Sequence, residues 1–306
     1  MKKNVKPRNQ INKKMHHKAG FVSILGNPNV GKSTLMNLLI GERLSIITSK
    51  AQTTRHRIMG IVNGENFQIV YSDTPGILTP NYKMQEYMMK YVDSALKDSD
   101  VLLYVVECGE TSYNQEVIER VILSKTPVFL VINKIDLSSE NVVSATKQQW
   151  ENVLHPQKIG CISALRGTNI NEIVDGIINL LPISPPYFAE EELTDRPMRF
   201  FISEIIREKI LLLFKKEIPY SAEVEITDYK EEKDITKISA TIFVERETQK
   251  AIILGHKGQA IKELGIKSRI SIEEFIDQKV YLSLSIKVQK DWRNNDLRLR
   301  RFGYGV

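Results

Sequence analysis

The sequence predicts a doubly wound α/β domain followed by a smaller α+β domain. Three observations carry this. Short apolar runs alternate with helix-period stretches from Phe21 to Leu181, the Pro-rich run LPISPP (Leu181–Pro186) ends the alternation, and the order of elements changes beyond it.

The runs FVSILG, FQIVYSD, VLLYVVE, VFLVIN and IGCIS are continuous enough to be strands buried on both faces of a mostly parallel sheet. Helix-period stretches lie between them at Ser33–Ile40, Met84–Leu96, Gln115–Ser124 and Ile170–Leu181. Asn63-Gly64, between two strand-like runs, signals a hairpin, so one strand joins antiparallel. LPISPP, the acidic AEEELTD and Pro197 read as a fairly stiff connector over residues 182–198. Beyond it come a helix (Phe200–Phe214), strands at Ala222–Thr227 and Ile235–Val244, helices around GHKG, and a strand at Lys279–Val288. The expected division is a basic disordered tail (1–18), a first domain (19–181), the connector, a second domain (199–290) and a basic end (291–306).

Composition agrees with this plan. With 306 residues, 42% hydrophobic and 26% charged, the chain has length for two domains with a core each. The longest apolar runs are strand-sized, far short of the ~20 residues that span a bilayer, and the basic N-terminus lacks the apolar stretch of a secretory signal. Cys108 and Cys161 are the only cysteines and form no metal-spaced or CxxC pair, which suits a reduced, cytosolic setting. The five histidines are scattered and suggest no zinc site. Residues 1–18 hold seven Lys/Arg and no acids; residues 19–195 carry a net −6 and residues 196–306 a net +5. A polyanionic partner is therefore expected at the C-terminal part or the tail.

The motifs give the first domain its chemistry. GNPNVGKS (Gly26, Asn27, Pro28, Asn29, Val30, Gly31, Lys32, Ser33), with Thr34 behind it, fits GxxxxGK[ST] directly after a strand. Gly26 and Gly31 let backbone N–H groups wrap phosphate oxygens, and the following helix points its positive end at them. Lys32 is expected to reach the β- and γ-phosphates and the Ser33 hydroxyl to ligate Mg²⁺. DTPG (Asp73, Thr74, Pro75, Gly76) ends a strand where the Asp73 carboxylate can face the magnesium and the Gly76 N–H can sense a γ-phosphate. NKID (Asn133–Asp136) selects the base. Guanine offers two donors, N1–H and N2–H, which the Asp136 carboxylate accepts together; adenine would leave that carboxylate buried and unpaired. Lys134 covers the ring and Asn133 ties loops together. Ser163-Ala164-Leu165 stands where a backbone N–H could meet the guanine carbonyl.

These four motifs are similar to those of translation-factor-class GTPases, and KAQTTRHR (Lys50–Arg57) resembles the first switch of the Era subfamily. The resemblance implies a switch threonine that ligates Mg²⁺ when the γ-phosphate is present; the TTR spacing favours Thr54, with Thr53 the alternative. It also implies a catalytic set of Lys32, Thr54 and Gly76. Where Ras-like enzymes carry a water-orienting Gln after DxxG, this chain has Ile77, which can neither orient nor deprotonate water. Hydrolysis is therefore expected to be slow. Related GTPases with an apolar residue there still hydrolyse GTP, several with a potassium ion held by an Asn at the position of Asn29, which makes K⁺ a candidate ion.

In the second domain GHKG (Gly255, His256, Lys257, Gly258) stands immediately before a helix. Two glycines let a nucleic-acid backbone approach closely, while Lys257 and the helix N-terminus attract phosphate. Lys262, Lys267 and Arg269 follow nearby. The element order resembles the bacterial type of KH domain. The end KVQKDWRNNDLRLRRFGYGV resembles Era termini, with FGY for LGY and GHKG for the usual GKGG. The resemblance spans residues 19–306. It implies a monomeric, ribosome-associated GTPase of small-subunit assembly whose KH domain binds 16S rRNA near its 3′ end. Arg293, Arg298, Arg300 and Arg301 read either as added phosphate contacts or as the solvated basic face of a helix end. The rival reading is a GTP-gated adaptor whose KH fold and basic tail bind a protein or the anionic inner face of the cell membrane.

Overall fold

The computed structural model describes residues 17–305. The run read as a basic tail lies outside the described residues through residue 16, and Lys18 already opens the first strand. The chain forms two compact units. One holds the described residues to Ser45, Thr54–Leu78 and Met89–Asp195; the other holds Ile46–Thr53, Thr79–Met88 and the chain from Arg196.

The first unit runs β1 (Lys18–Leu25), α1 (Lys32–Ile40), β2 (Ile58–Gly64), β3 (Phe67–Asp73), α2 (Lys83–Asp98, its first turns counted with the second unit), β4 (Val101–Glu107), α3 (Gln115–Ser124), β5 (Val128–Asn133), α4 (Glu140–Leu154), β6 (Lys158–Cys161) and α5 (Ile170–Leu180). The six strands are ordered β2-β3-β1-β4-β5-β6. Only β2 is antiparallel. β4 and β5 are buried almost end to end, as strands covered on both faces must be. β1 lies between β3 and β4, so the strand order turns there and a crevice opens beyond its carboxyl end.

Three local features differ from expectation. The hairpin forms, but its turn is Glu65-Asn66, with Asn63 paired to Gln68 and Gly64 to Phe67. A bond from Gln68 Nε2 to Asn63 Oδ1 (2.8 Å) fixes that register. Helix α4 was not among the expected helices. Its buried stripe is only Thr146, Trp150 and Leu154, one residue per turn, too narrow to dominate the periodicity of a polar segment. The connector read over residues 182–198 groups with the first unit as far as Asp195. It straps the open edge of β2: Ile61 N donates to Leu193 O (2.8 Å) and Gly60 bridges to Thr194. The buried Gln68 carboxamide is fully used, accepting from Tyr187 N and Phe188 N and donating to Phe188 O and Asn63. The strap thus covers backbone groups that an edge strand would otherwise expose.

The second unit runs α6 (Met198–Leu213), α7 (Ile218–Ser221), β7 (Glu223–Glu231), β8 (Thr236–Val244), α8 (Glu247–Leu254), a turn at His256–Gly258, α9 (Gln259–Ile276), β9 (Val280–Val288) and α10 (Asp296–Arg301). Its sheet is β7-β8-β9, with β7 antiparallel and β9 parallel to β8. The isoleucine face of α6 (Ile202, Ile206, Ile210) packs in one core with Ile238, Ala240 and Ile242 of β8. Lys50 Nζ donates to the Leu211 and Phe214 carbonyls, which the end of α6 leaves without helical partners. The buried Arg207 pairs with Glu204 and donates to the carbonyls of Gln52 and Thr53.

The stretch expected as a basic end is packed rather than loose through Tyr304. Trp292, Leu299 and Tyr304 are buried; Trp292 Nε1 donates to Ser221 O (3.0 Å) and Tyr304 Oη to Glu223 Oε2 (2.7 Å). Among the described residues no helix is long and apolar enough to cross a membrane.

Candidate functional site

The crevice beyond β1 collects the motif residues of the first unit. The loop after β1 takes conformations that L side chains rarely adopt: Gly26 at φ 144°, Asn29 at 65° and Gly31 at 98°. A Cβ on Gly26 would lie 2.1 Å from Val105 O, and one on Gly31 2.3 Å from Asn133 Nδ2, so both positions require glycine. Lys32 opens α1 and is 6% exposed, with Nζ donating to Gly26 O (3.0 Å) and Asn27 O (2.7 Å). Burial lowers its pKa to about 8, against the opposing pull of Asp73 and Glu110. Asn29 is exposed at the crest of the loop, Val30 is buried beneath it, and Thr34 is half-buried in the first turn of α1.

Asp73, the last residue of β3, is fully buried, which raises its pKa; the Ser33 hydrogen bond and the Lys32 charge oppose that rise. Its Oδ2 accepts from Ser33 Oγ (2.7 Å), and Ser33 Oγ is also 2.8 Å from Thr54 Oγ1. Asp73 Oδ1 has no hydrogen-bond partner among the described residues. A buried carboxylate with a spare oxygen, the Ser33 hydroxyl bonded to it and the Thr54 hydroxyl bonded to Ser33 are the hard oxygen donors Mg²⁺ prefers, so the residues present fit that ion. The arrangement also separates the paired threonines. Thr54 reaches this cluster, whereas the Thr53 hydroxyl bonds Thr48 Oγ1 (2.6 Å) and Lys50 O (2.6 Å) within the second unit.

Thr74 Oγ1 donates to Ile24 O (2.7 Å), and Pro75 is buried beside it. Gly76 passes so close to the phosphate loop that a Cβ would lie 2.8 Å from Pro28 Cα. Ile77, which replaces a water-orienting Gln, is 4% exposed in the core with Leu25, Val92 and Tyr104. It anchors the DTPG loop and presents nothing to the crevice.

At the other end Asn133 is 2% exposed and joins three loops. Its Nδ2 donates to Val30 O (2.8 Å) and its Oδ1 accepts from Ala164 N (2.9 Å). Lys134 Nζ donates to Glu107 Oε2 (2.5 Å). Ser163 is buried, its Oγ accepting from Arg166 N (3.1 Å), and Leu165 is exposed. Asp136, expected to be a buried carboxylate, is exposed in a short 3-10 turn. Glu107 and Glu110, which contact Lys134 and Asn27, were not singled out in the sequence; no motif marks them.

In the second unit the GHKG turn leaves His256 and Lys257 exposed at the start of α9, with Lys257 at φ 50°. Gly255 has φ 68° and ψ 178°, a region essentially restricted to glycine, and a Cβ there would lie 2.6 Å from Ala260 Cβ. Lys262, Lys267 and Arg269 are exposed on α9, Lys267 paired with Glu263 (2.8 Å) and Arg269 with Glu273 (3.7 Å). Exposed Ile266 and Ile270, one turn apart on the same helix, put apolar surface beside these cations. Of the terminal arginines, Arg293 pairs with Glu245 and Arg301 with Glu225 (3.0 Å).

The comparisons with known proteins agree with both units. Residues 21–134 match the family described as 50S ribosome-binding GTPase, and residues 217–293 match the KH domain family. The chain is 45% identical over 294 residues to GTPase Era of Carboxydothermus hydrogenoformans, covering 95% of this chain and 99% of that protein. It superposes on the crystal structure of a point variant of Aquifex aeolicus Era bound to GDP·AlF4⁻ with a TM-score of 0.90, at 37% identity over 94% of this chain and all of the other. On the structure of Era in complex with MgGDPNP and nucleotides 1506–1542 of 16S ribosomal RNA the TM-score is 0.91, at 38% identity over 95% of this chain and all of that one. With a phosphate loop, a base motif and a KH unit in the order of those proteins over nearly its whole length, the chain belongs to the Era family of GTPases.

Proposed function

We propose that this protein binds and hydrolyses GTP as a two-state switch, binds small-subunit 16S rRNA near its 3′ end through its KH unit, and acts in small-subunit assembly. The observation that carries the nucleotide half is Asn133, which holds the phosphate loop at Val30 and the SAL loop at Ala164 in one rigid crevice. The RNA half rests on the exposed GHKG turn and on the relative solved with 16S rRNA nucleotides bound.

In this reading the amides of Gly26–Ser33 and the Lys32 ammonium hold the phosphates, and the Gly76 N–H faces the γ-phosphate. Ser33, Thr54 and Asp73 hold Mg²⁺, which, when bound, neutralises charge on the β- and γ-oxygens. Asp136 accepts from guanine N1–H and N2–H, and Lys134 covers the ring. Because Ile77 is a core anchor, this chain has no side chain at that position to orient water, and hydrolysis is slow. In the same reading Asn29, exposed in the phosphate loop, holds K⁺ beside the phosphates. The protein works as a monomer in the cytoplasm, with the phosphate-facing cations on α9 and Lys257 in contact with RNA.

Thr54 follows directly on Ile46–Thr53, a segment of the second unit whose last carbonyls are held by Arg207. Because Thr54 adjoins that segment in the sequence, this reading includes coupling between GTP and RNA. Linkage makes this reciprocal: the factor by which GTP tightens RNA binding equals the factor by which RNA tightens GTP binding. Competition binding with GTP and ATP tests the first half, and equal affinity for both would overturn it. Titrating a 16S 3′-end RNA against protein loaded with GDP or a non-hydrolysable GTP analogue tests the second. Failure to bind that RNA in either state would favour the adaptor reading instead.

A further inference from the structure

The turn that follows β4, residues 107–112 (ECGETS), touches both ends of the crevice. Glu107 Oε2 accepts from Lys134 Nζ (2.5 Å), and Cys108 N donates to Asn133 O (2.9 Å), so its first residues hold the base motif. Three residues later Glu110 Oε1 accepts from Asn27 Nδ2 (2.6 Å), and Ser112 O accepts from the same amide (3.0 Å). Both N–H directions of the Asn27 carboxamide are thus used, and the second residue of the phosphate loop is fastened from outside. The turn is closed on itself, Glu110 Oε2 accepting from Glu107 N (3.0 Å) and Glu110 N donating to Glu107 O (2.9 Å). It is also fixed to helix α4. Trp150 Nε1, on a fully buried ring, donates to Glu110 O (2.8 Å), and Gly109 N donates to Thr146 Oγ1 (2.9 Å).

We infer that residues 107–112 are a brace between the phosphate end and the base end of the nucleotide site, in which Glu110 is a positioning residue that holds Asn27 and so governs how long a guanine nucleotide stays bound. This rests on the nucleotide reading proposed above. The physical argument begins with the phosphate loop, whose φ angles at Gly26, Asn29 and Gly31 are costly and persist only where surroundings over-determine them. Asn133 constrains that loop at Val30, and Glu110 constrains it at Asn27, whose own carbonyl holds Lys32 Nζ. Glu110 makes no ion pair among the described residues, so it sits as a carboxylate beside an anion site, where charge alone would weaken phosphate binding. A role in positioning and a role in repulsion therefore predict opposite signs.

The test is release of a fluorescent GDP from Glu110→Gln, Asn27→Asp and the double variant, with melting temperatures measured in the absence of nucleotide. Glu110→Gln leaves one acceptor oxygen for two donors, Asn27 Nδ2 and Glu107 N, and Asn27→Asp sets two carboxylates against each other. The double variant restores a donor facing an acceptor between positions 27 and 110 at wild-type net charge, but not the bond to Ser112 O. Each single change is expected to speed release by roughly tenfold, and the pair to release more slowly than either single. Slower release from Glu110→Gln would show that repulsion dominates and overturn the inference. So would a double variant no better than the singles, or melting temperatures that fall in step with release in all three. If wild-type protein does not retain GDP at all, the nucleotide reading fails instead, and that result is distinct from either.

Discussion

The nucleotide crevice of the first unit and the GHKG turn of the second both recognise phosphate in this reading, yet they are built in opposite ways. Lys32, Asp73 and Asn133 are buried; carbonyls of its own loop hold Lys32, and groups far away in the chain hold Asp73 and Asn133. His256 and Lys257 are exposed, and the cations beside them pair only one turn along their own helix. A crevice of buried polar groups suits one rigid ligand, for which each misplaced group carries a desolvation cost. An exposed turn on a rigid helix suits a flexible single strand, for which charge attracts and salt screens.

The largest effect is expected where the crevice reads the base. Replacing Asp136 with Asn is expected to weaken GTP by roughly a thousandfold and to favour XTP, whose C2 carbonyl suits an amide donor. Competition among GTP, ATP and XTP measures this; a loss below tenfold would mean that Asp136, exposed as it is here, does not carry selectivity.

Next in size is the turn. His256→Asp with Lys257→Asp places two negative charges where RNA phosphates are expected, and RNA affinity is expected to fall by about a hundredfold with basal GTP hydrolysis preserved. If the wild-type turn neutralises about four phosphates, log K falls against log salt with a slope near −3. Fluorescence anisotropy over a salt series reads both quantities, and unchanged affinity in the double variant would move the RNA contact to the terminal arginines.

The buried lysine gives the crevice a pH signature. Burial puts Lys32 at about 8, so the free protein loses that proton as pH rises through this value. Bound phosphates favour the charged form, and binding then takes up a proton. Affinity for GDP is expected to be flat below that pH and to fall by up to about tenfold per unit above it. Calorimetry in buffers of different ionisation enthalpy detects the proton; no uptake above that pH would mean Lys32 stays charged in the free protein.

Smaller still is the ion effect. If Asn29 holds K⁺, turnover is expected to rise several-fold in potassium over sodium, and Asn29→Ala to abolish the difference. Equal rates in both salts would remove the ion and leave the GTPase intact. The smallest contrast lies within the turn itself. Gly255→Ala meets Ala260 and is expected to cost about 1–3 kcal/mol of stability, whereas Gly258→Ala finds open space and costs about 1 kcal/mol through its φ of 77° alone. Chemical denaturation of both variants ranks them, and the reverse order would contradict the packing described.

The doubly wound domain, the smaller α+β domain and the motif segments were legible in the sequence because each is a run of neighbouring residues. Strand and helix periods show in a short window, and GNPNVGKS, DTPG, NKID and GHKG each combine chain geometry with the groups that geometry presents. Whatever depends on residues distant in the chain was not legible. The sequence leaves Thr53 and Thr54 side by side; only the fold brings one to Ser33 and turns the other to Thr48. Helix α4 hides because its buried stripe is one residue wide, and the acidic connector becomes a strap through three hydrogen bonds that the buried Gln68 makes across the chain and through the β2 edge. Glu110 shows the limit most plainly. It stands 83 residues from Asn27, and nothing local marks it. Local composition determined which chemistry this protein carries, while tertiary packing decided which hydroxyl, carboxylate and amide deliver it, because a side chain's role depends on what long-range closure sets within about 3 Å of it.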